Sequence, residues 1–596
     1  MINERIKKLQ NVMRDKKITM YYIPTSDFHG SEYVAEYFQV RKYMSGFSGS
    51  AGVMIITQKE AHLWSDGRYY LQAEKQTKDN VVVFHRQGEK GVVSPLAFVH
   101  KHFKENDVLA FDGRVVAAPI GNAFKKVADE RNGSIRYDED LVDAIWKDRP
   151  AISKAPVYRF DDRYAGESAI NKIHSIRSAM KASGGAQAHL IASLDDIAYI
   201  LNLRGDDIKC TPVFLSYLYI GEKQNYLYLD IDKVGADIKK YLDTLAIEVK
   251  AYDALYDDIK TLDVECLWLD PEHVNYMLYS NVKKEIRLME AANPSILMKA
   301  VKNQVEIENA RIAHVKDGVA ITKFMYWLKQ NVGKQAMDEI SVADYLENLR
   351  KQQADFIELS FDTISAYKAN AANAHYKAQV DSKADIKAEG TLLLDSGGQY
   401  LQGTTDITRT FALGDIDDVV KKHFTLVLES MIRLADVTFL QGVTGINLDI
   451  LARAPLWQHG IDYKHGTGHG IGHFLGVHEG PQSIRWQSLT NRKEETTLVE
   501  GMMISNEPGV YIEGAYGIRI ENLLVVQKAQ KVGNDQFLKF ETLTLAPIDL
   551  DMIDLRYLSE SGRAYVNTYH KNVFEKLHPF LDENEVLWLK EYTREI

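Results

Sequence analysis

The sequence predicts an α/β (α+β) protein with two N-terminal domains of related topology and a larger third domain. Three observations support this prediction. The chain has 596 residues, more than the roughly 250 to 300 residues that one hydrophobic core usually serves. The order of predicted strands and helices in the first part of the chain is repeated in the second. The most distinctive motifs, rich in glycine, histidine and acidic residues, all follow residue 300.

The composition narrows the functional classes. A formal net charge of −11 and a pI near 5.9 indicate no general basic surface, so we expect neither nucleic acid nor membrane as a partner. The N-terminal segment MINERIKKLQNVMRDKK is charged where a secretory signal has an apolar run. No stretch approaches the ~20 apolar residues that span a bilayer. The two cysteines, Cys210 and Cys266, allow no disulfide framework and are interpreted as buried apolar side chains. These features predict a cytoplasmic protein.

The first predicted domain covers residues 1–155. It opens with an amphipathic helix whose apolar residues recur at helical spacing: Ile6, Leu9 and Met13. A strand pattern follows at 20–23, and the patterns at 51–57 and 61–64, separated by a polar turn, predict a hairpin. The domain ends in a polar, proline-punctuated stretch that closes near Pro156.

The second predicted domain covers residues 156–299 and repeats this order. A strand pattern at 188–192 precedes a helix start at Leu194. Two further strand patterns, 213–220 and 226–230, then pair across a polar turn. Because the order matches that of the first domain, we predict two successive domains of one topology.

The third predicted domain covers residues 300–596 and contains two pairs of acidic residues. An apolar strand pattern at 391–395 ends on Asp395. At 404–411 polar and apolar residues alternate with period 2, which places Asp406 on one face of a strand. With a short Ser-Gly-Gly turn between them, the two strands form a predicted hairpin that brings Asp395 and Asp406 together.

A second predicted hairpin brings Glu507 and Glu521 together in the same way. Four converging carboxylates would repel one another and raise each other's pKa values unless cations neutralised them. Two divalent cations balance four carboxylates. Between the hairpins lies the run HGTGHGIG, which contains His469. Oxygen-rich ligation with a single imidazole favours manganese, and iron, cobalt and zinc are also compatible with the geometry.

Each of these residues has a more ordinary interpretation when it is taken alone. An isolated aspartate is usually solvated, and an isolated histidine is more often packed than catalytic. The glycine-rich run lacks the Gly-x-Gly-x-x-Gly spacing of a phosphate-binding loop. The ordered combination of all the elements therefore favours a dinuclear metal site.

The combined pattern resembles a known family. The five residues Asp395, Asp406, His469, Glu507 and Glu521 resemble the metal site of the pita-bread metallopeptidases, and HGTGHGIGHFLGVHEGP, NEPGVY and GIRIEN resemble aminopeptidase P in its long, cytosolic, three-domain form. Because SGFSGSAGVMIIT, LDDIAYILNLRGDDI and FETLTLAPIDLDMID also match, the resemblance covers essentially the whole chain. It implies two creatinase-like N-terminal domains, then a pita-bread catalytic domain with a short C-terminal extension from about residue 540.

The resemblance also implies an activity and a set of ligands. A long-form aminopeptidase P releases the N-terminal residue from peptides with proline second, by attack of a hydroxide shared by two metal ions. Asp406 and Glu521 would bridge the two ions, Asp395 would hold one of them, and His469 with Glu507 would hold the other. Glu507 would also accept the proton of the attacking water.

Four further residues match family positions outside the ligand set. His375 and His478 would line the substrate site and stabilise the oxyanion or transfer a proton. His465 would also contact the substrate. Arg519 would contact the substrate as well, and would orient the carboxylate of Asp395. The resemblance further implies a homodimer formed through the catalytic domain.

Two alternatives and one residue stay open at this point. The chain could be a catalytically inactive pita-bread module that only binds partners, although such proteins lose metal ligands. Creatine amidinohydrolysis uses the same fold without metal, and would not require the five ligands. His473 stands where the family pattern has a small residue, and either a packing role or a role beside the ligand loop is compatible with the sequence.

Overall fold

The computed structural model describes residues 1–488 and 495–596. The chain forms two units, one of Met1–Asp161 with Glu167–Ser295, the other of Asp162–Gly166 with Ile296–Ile596. Within the described ranges, none of the helices combines the length and the apolar character that a membrane crossing requires.

The first unit contains two α/β halves. The helices are α1 (Ile2–Asp15), α2 (Val40–Ser45), α3 (Tyr70–Thr77), α4 (Pro95–His102) and α5 (Ala118–Glu130), then, beyond the short α6 (Asp162–Ala165) of the other unit, α7 (Ala169–Ala182), α8 (Leu194–Leu201), α9 (Ala236–Thr244), α10 (Leu255–Thr261) and α11 (Tyr276–Asn281). The strands are β1 (Met20–Pro24), β2 (Val53–Thr57), β3 (Ala61–Ser65), β4 (Val82–Arg86), β5 (Val108–Ala110), β6 (Ser134–Arg136), β7 (Tyr158–Arg159), β8 (Ala188–Ile191), β9 (Leu203–Arg204), β10 (Ser216–Gly221), β11 (Asn225–Leu229), β12 (Ile247–Ala251), β13 (Cys266–Leu269) and β14 (Arg287–Glu290).

The two halves of this unit share one sheet topology, as the sequence predicts. The sheets have six strands each, in the orders β4-β3-β2-β1-β5-β6 and β12-β11-β10-β8-β13-β14. The strand directions also correspond: β1–β2 and β8–β10 are antiparallel, while β1–β5 and β8–β13 are parallel. The predicted repeat is therefore confirmed.

The individual predictions for this unit also agree with the structure. The apolar face of α1 is buried, with Ile6 2% exposed and Leu9 and Met13 0% exposed. The predicted hairpin is formed by β2 and β3, in which Val53 lies opposite Trp64. Cys210 and Cys266 are both buried, as predicted. Burial of apolar side chains at helical spacing accounts for the agreement in α1, whereas β2 and β3 are buried along almost their whole length.

The second unit contains the remaining elements. The helices are α12 (Pro294–Ala300), α13 (Gln304–Asn331), α14 (Glu339–Lys351), α15 (Asp418–Ala435), α16 (Gly445–Trp457), α17 (Glu560–Leu577) and α18 (Glu583–Tyr592). The strands are β15 (Phe356–Leu359), β16 (Ile364–Tyr367), β17 (Thr391–Ser396), β18 (Gly398–Tyr400), β19 (Gly403–Thr404), β20 (Ile407–Ala412), β21 (Thr438–Leu440), β22 (Gly468–Gly470), β23 (Glu479–Ile484), β24 (Met503–Asn506), β25 (Gly509–Ile512), β26 (Tyr516–Arg519), β27 (Asn522–Val532) and β28 (Asp535–Thr542).

Two sheets of this unit position the acidic pairs. β17 is the central strand of a sheet with β16 and β20, and all six residues of both β17 and β20 are buried. The second sheet has the order β21-β28-β27-β24-β22-β23. One prediction needs correction: β17 and β20 do pair antiparallel, but no tight Ser-Gly-Gly turn joins them. The connection runs through β18 and β19, which belong to a separate sheet in which β18 pairs with β15, with Tyr400 opposite Phe356 and Gly398 opposite Leu359.

The C-terminal segment, defined here as residues 543–596, packs into the core of the second unit. Buried side chains of α17 and α18 join the same apolar cluster as α13 and β20, among them Val566, Val573, Leu577 and Leu589, each 0% exposed. The predicted domain boundary at 155/156 lies inside the first unit, and the predicted boundary at 299/300 lies close to the point where the second unit begins. The division into three domains stays a prediction.

Gly318 tests the fit between α13 and the C-terminal segment. A Cβ added at Gly318 would meet the backbone carbonyl of Leu545. Replacing a helical glycine by alanine normally gains about 0.8 to 1.0 kcal/mol, but overpacking of a close contact costs about 1 to 3 kcal/mol. We expect Gly318→Ala to lower the Tm in thermal denaturation. The control is Gly235→Ala, because Gly235 has φ −66° and no atom within 4 Å of an added Cβ. A Tm equal to or above that of the native chain would contradict the proposed contact.

Candidate metal centre

Asp395 and Asp406 come from neighbouring strands of one sheet. In the antiparallel register of β17 and β20, Asp395 lies opposite Thr408. Asp406 directly precedes β20, two positions before Thr408. Because side chains alternate along a strand, Asp406 and Thr408 share a face. The sheet therefore brings the two predicted aspartates together although the turn between their strands is not the predicted one.

Glu507 and Glu521 come from the second sheet. β24 and β27 pair so that Asn506 lies opposite Asn522, which places Glu507 just after one strand and Glu521 just before the other. The two sheets are joined at Glu521, whose N–H donates to the Thr408 carbonyl at 3.1 Å. The Thr408 hydroxyl in turn donates to Glu521 Oε2 at 2.8 Å. All four predicted carboxylates therefore converge.

His469 faces these carboxylates from β22, beside β24. Its Nε2 lies 3.5 Å from Asp406 Oδ2 and 3.3 Å from Glu507 Oε1. Its backbone N–H donates to Ser505 Oγ at 3.0 Å, and its Nδ1 lies 3.0 Å from the Gly470 carbonyl. An Nδ1–H that donates to a carbonyl leaves the Nε2 lone pair available, which is the tautomer a metal ligand needs.

The arrangement of these groups fits a metal ion. Within the part of the chain that the structure describes, one group of three or more metal-binding side chains is found, Asp406, His469 and Glu521, with ligand atoms within 4.8 Å of one another. Asp395 Oδ1 and Asp406 Oδ1 are buried and have no hydrogen-bond partner. Buried carboxylate oxygens without donors are costly, and a cation would satisfy them.

The electrostatics of the cluster agree with this interpretation. Burial raises the pKa of Asp406 well above its usual range, and the Asp395 and Glu507 charges raise it further. Burial and the Asp406 charge do the same to the pKa of Glu521. Burial also raises the pKa of Glu507 to about 7. Shifts of this kind in clustered acids are typical of functional sites, and bound cations would reverse them.

Arg519 lies beside the cluster, as the resemblance implies. Its guanidinium donates to Asp395 Oδ2 at 2.6 Å and to the Tyr511 hydroxyl at 2.6 Å. The Tyr511 hydroxyl lies 2.8 Å from His465 Nε2, and His465 Nδ1 lies 2.7 Å from the Gly466 carbonyl. Burial and the Arg519 charge lower the pKa of His465 to about 3. His465 is therefore neutral, with Nε2 accepting from Tyr511, and reaches Asp395 through Tyr511 and Arg519.

His478 and His375 border the cluster in different ways. The His478 ring lies 4.3 Å from the His469 ring, centroid to centroid, at an angle of 81°. His375 lies on the loop that follows the short helix Lys368–Ala372, and its N–H donates to Asn373 Oδ1 at 3.3 Å. The carbonyl of the preceding Ala374 lies 3.5 Å from the Arg519 guanidinium. The structure thus brings both histidines to the neighbourhood of the predicted ligands.

His473, whose role the sequence leaves open, has a buried side chain. It is 4% exposed, and its Nε2 lies 3.0 Å from the Tyr164 carbonyl. A Cβ added at Gly403 would lie 3.2 Å from its Nδ1. These contacts with the backbone indicate a packing role for His473.

Several supporting residues escape prediction from the sequence. Glu339, at the start of α14, is 0% exposed, and it accepts hydrogen bonds around the loop that carries His375: from Tyr367 N at 2.7 Å, Asn370 Nδ2 at 2.9 Å, Tyr376 Oη at 2.9 Å and Ala384 N at 2.8 Å. Acidic residues are common in the first turn of a helix, so the sequence carries no signal of this role.

A second buried pair holds the segment before His469. Asp449 and Arg453, four residues apart on α16, are both 0% exposed and 2.7 Å apart. Arg453 donates to the His465 carbonyl at 2.9 Å, and the Thr467 hydroxyl donates to Asp449 at 2.5 Å. A buried ion pair whose other hydrogen bonds all go to one segment indicates a role in fixing that segment.

Family models match the whole organisation of the chain. Metallopeptidase family M24 matches residues 308–528, the creatinase/prolidase N-terminal domain matches 5–139 and again 148–306, and the C-terminal region of the M24 peptidases matches 536–596. The predicted fold, two creatinase-like domains followed by a pita-bread domain, is confirmed.

Similar proteins cover the chain from end to end. Xaa-Pro aminopeptidase 1 of Dictyostelium discoideum is 36% identical over 99% of this chain and 96% of its own length. Aminopeptidase P1 of Arabidopsis thaliana is 36% identical over 96% of each. The crystal structure of X-prolyl aminopeptidase from Caenorhabditis elegans, described as a cytosolic enzyme with a di-nuclear active site, superposes with a TM-score of 0.94 at 31% identity over 100% of both chains. The chain belongs to the Xaa-Pro aminopeptidases of metallopeptidase family M24.

Proposed function

We propose that this chain is a metal-dependent exopeptidase that releases the N-terminal amino acid from peptides whose second residue is proline. The observation that carries the proposal is the convergence of Asp406, His469 and Glu521 within 4.8 Å, beside buried carboxylate oxygens that have no hydrogen-bond donor. The activity follows from the family, because the similar proteins are Xaa-Pro aminopeptidases. The alternative, an inactive binding module, finds no support among them.

Two divalent ions per chain would occupy the site. By the family pattern, Asp406 and Glu521 would bind both ions, Asp395 would bind one of them, and His469 with Glu507 would bind the other. The donor set is rich in carboxylate oxygen with one imidazole, which favours manganese over ions that prefer thiolate or several imidazoles; zinc, cobalt and iron remain compatible. When bound, the ions would supply a water of lowered pKa and polarise the carbonyl under attack.

The protein side chains would supply proton transfer and orientation. Glu507 is held by Ser505, whose hydroxyl donates to Glu507 Oε1 at 3.1 Å, and by its own N–H, which donates to the Thr467 carbonyl at 2.9 Å. A carboxylate fixed in this way can accept the proton of the attacking water. His478, beside His469, would donate to the oxyanion that develops on the scissile carbonyl.

The chemistry of proline explains the need for such a site. An Xaa-Pro bond is a tertiary amide without an N–H, and proline fixes φ, so a peptidase that binds substrate as an extended strand loses contacts at this residue. Attack by an activated water needs no backbone N–H. The carboxylate of Asp395, 8% exposed, would bind the α-amine of the substrate, and the loop of His375 would border its proline.

We also propose that the protein is a cytoplasmic homodimer that associates through the second unit, which contains the metal site. The cytoplasmic location rests on the similar C. elegans enzyme, described as cytosolic, and on the small number of cysteines, two in the sequence, both of them buried. For the dimer, Trp457 and Trp486 form an edge-to-face pair with centroids 6.5 Å apart and are 41% and 51% exposed. Exposed paired tryptophans are typical of interaction surfaces.

Light scattering tests the proposed dimer. We expect the native protein to have twice the chain mass, and the double variant Trp457→Ser with Trp486→Ser to have the mass of a monomer. A monomeric native chain would contradict the proposal.

Hydrolysis of a proline peptide tests the activity directly. We expect the metal-free protein to release arginine from Arg-Pro-Pro only after Mn²⁺ is added, and to leave Arg-Ala-Ala intact. Glu507→Gln keeps the side-chain volume but cannot accept a proton, so its kcat should fall by roughly 10²-fold or more. Released arginine is measured by chromatography.

The controls distinguish an error in the proposed proline specificity from an error in the proposed activity. Glu347→Gln, a partly exposed position on α14 paired with the exposed Lys351, should hydrolyse the peptide at the native rate. Equal cleavage of both peptides would show that the proline specificity is misassigned. No cleavage of either, with Mn²⁺ bound, would favour the binding module.

The pH dependence of metal-free stability tests the charge cluster. Burial raises the folded-state pKa of Glu507 from 4.5 to about 7, so the folded protein binds the extra proton between these values. This contribution to stability is present below pH 4.5 and is lost as the pH rises through about 7. The pKa values of Asp406 and Glu521 are also raised by burial, so these two groups act in the same direction.

We therefore expect the Tm of the metal-free protein to fall between about pH 5 and about pH 8. Glu507→Gln should show a smaller fall, because the titrating group is gone. Mn²⁺ should raise the Tm more at the higher pH, since metal binding requires deprotonated ligands. If the Tm of metal-free Glu507→Gln changed with pH as that of the native protein does, the proposed contribution of Glu507 would be wrong.

A further inference from the structure

Arg409 occupies an unusual position on β20. It lies between Thr408 and Thr410, points away from the face that carries Asp406, and is 3% exposed. Its guanidinium donates to six acceptors: the Pro547 carbonyl at 3.1 Å, the Thr408 carbonyl at 3.0 Å, the Glu521 carbonyl at 2.7 Å, Asn522 Oδ1 at 2.9 Å, the Ala546 carbonyl at 3.1 Å and the Tyr569 hydroxyl at 2.9 Å. None of these acceptors is a carboxylate.

A buried guanidinium without a carboxylate partner is costly. Removing the charge from water is unfavourable, and neutral acceptors compensate for it only when every donor is satisfied. Arg409 meets this condition through acceptors in two distant parts of the chain, β20 with the Glu521–Asn522 corner on one side and the C-terminal segment on the other. The side chain therefore ties the C-terminal segment to the backbone of a proposed metal ligand.

Tyr569 completes the connection from α17. Its hydroxyl accepts from Arg409 and from the Ala546 N–H at 3.2 Å, and it lies 2.8 Å from the Ala546 carbonyl. A second link lies at the end of β20, where the Ala412 N–H donates to Asp549 Oδ2 at 2.8 Å. Asp549 is itself paired with Lys329 at 2.6 Å. The C-terminal segment thus binds β20 at two points.

We infer that the C-terminal segment is part of the scaffold of the metal site, and that it acts through Tyr569 and Arg409, which fix the carbonyl of Glu521 and so the direction of its carboxylate. Arg409 is a positioning residue, because it touches neither substrate nor ligand carboxylate. The inference rests on the proposed function, since it requires that Glu521 bind metal. Outer contacts of this kind change metal affinity by roughly 10- to 100-fold.

The test compares two single-hydroxyl deletions on one helix. Tyr569→Phe removes an acceptor of Arg409. Tyr565→Phe is the matched control, because the Tyr565 ring is stacked 6.4 Å from that of Tyr569 and its hydroxyl contacts Thr542 at 3.0 Å instead. Mn²⁺ is titrated calorimetrically into the metal-free full-length proteins, and the Tm of each metal-free protein is recorded. We expect Mn²⁺ to bind roughly 10-fold more weakly to Tyr569→Phe and unchanged to Tyr565→Phe.

A purely structural role gives a different result. Both variants would then lower the Tm and leave the affinity for Mn²⁺ unchanged, or weaken it equally, and either outcome overturns the inference. Arg409→Lys retains the positive charge and loses the forked donors; it should weaken Mn²⁺ binding at least as much as Tyr569→Phe, and native affinity would again overturn the inference. If the native chain bound no metal, the proposed function itself would fall.

Discussion

The structure depends on one electrostatic constraint: several carboxylates lie side by side out of water. Asp395, Asp406 and Glu521 are 8%, 4% and 2% exposed, and burial with mutual repulsion raises the pKa of the latter two. Such a cluster is costly unless cations neutralise it. Arg519 compensates for part of the charge through Asp395. Two divalent ions would compensate for the rest. The same ions would therefore neutralise the buried carboxylates of the fold and supply the chemistry of the activity.

β20 connects the carboxylate cluster to other parts of the second unit. Asp406 precedes it, and the hydroxyl of Thr408 donates to Glu521. The hydroxyl of Thr410 donates to the Arg519 carbonyl at 2.9 Å, while Arg409, on the opposite face, reaches the C-terminal segment. One face of the strand thus contacts the proposed ligands and Arg519, and the other face contacts the C-terminal segment. The C-terminal region, which has its own family model, is in this view a component of the site.

The sequence allowed prediction of what depends on local pattern. Period-2 alternation identified the strand after Asp406, and the repeated order of elements identified the twin sheets. It did not reveal the path between β17 and β20, because β18 pairs with β15, remote in sequence, and β19 pairs with β18. Nor did it reveal Arg409 or Glu339, which look like ordinary strand and helix-start residues. Their importance lies in acceptors and donors that only the folded chain brings within reach.

Anomalous diffraction would show directly whether metal ions lie among the buried carboxylates. Crystals grown with Mn²⁺ would be measured on both sides of the manganese absorption edge. We expect two anomalous peaks per chain, with Asp406 and Glu521 touching both and His469 touching one. A single peak, or peaks remote from these residues, would contradict the claim that paired cations resolve the repulsion of the buried carboxylates.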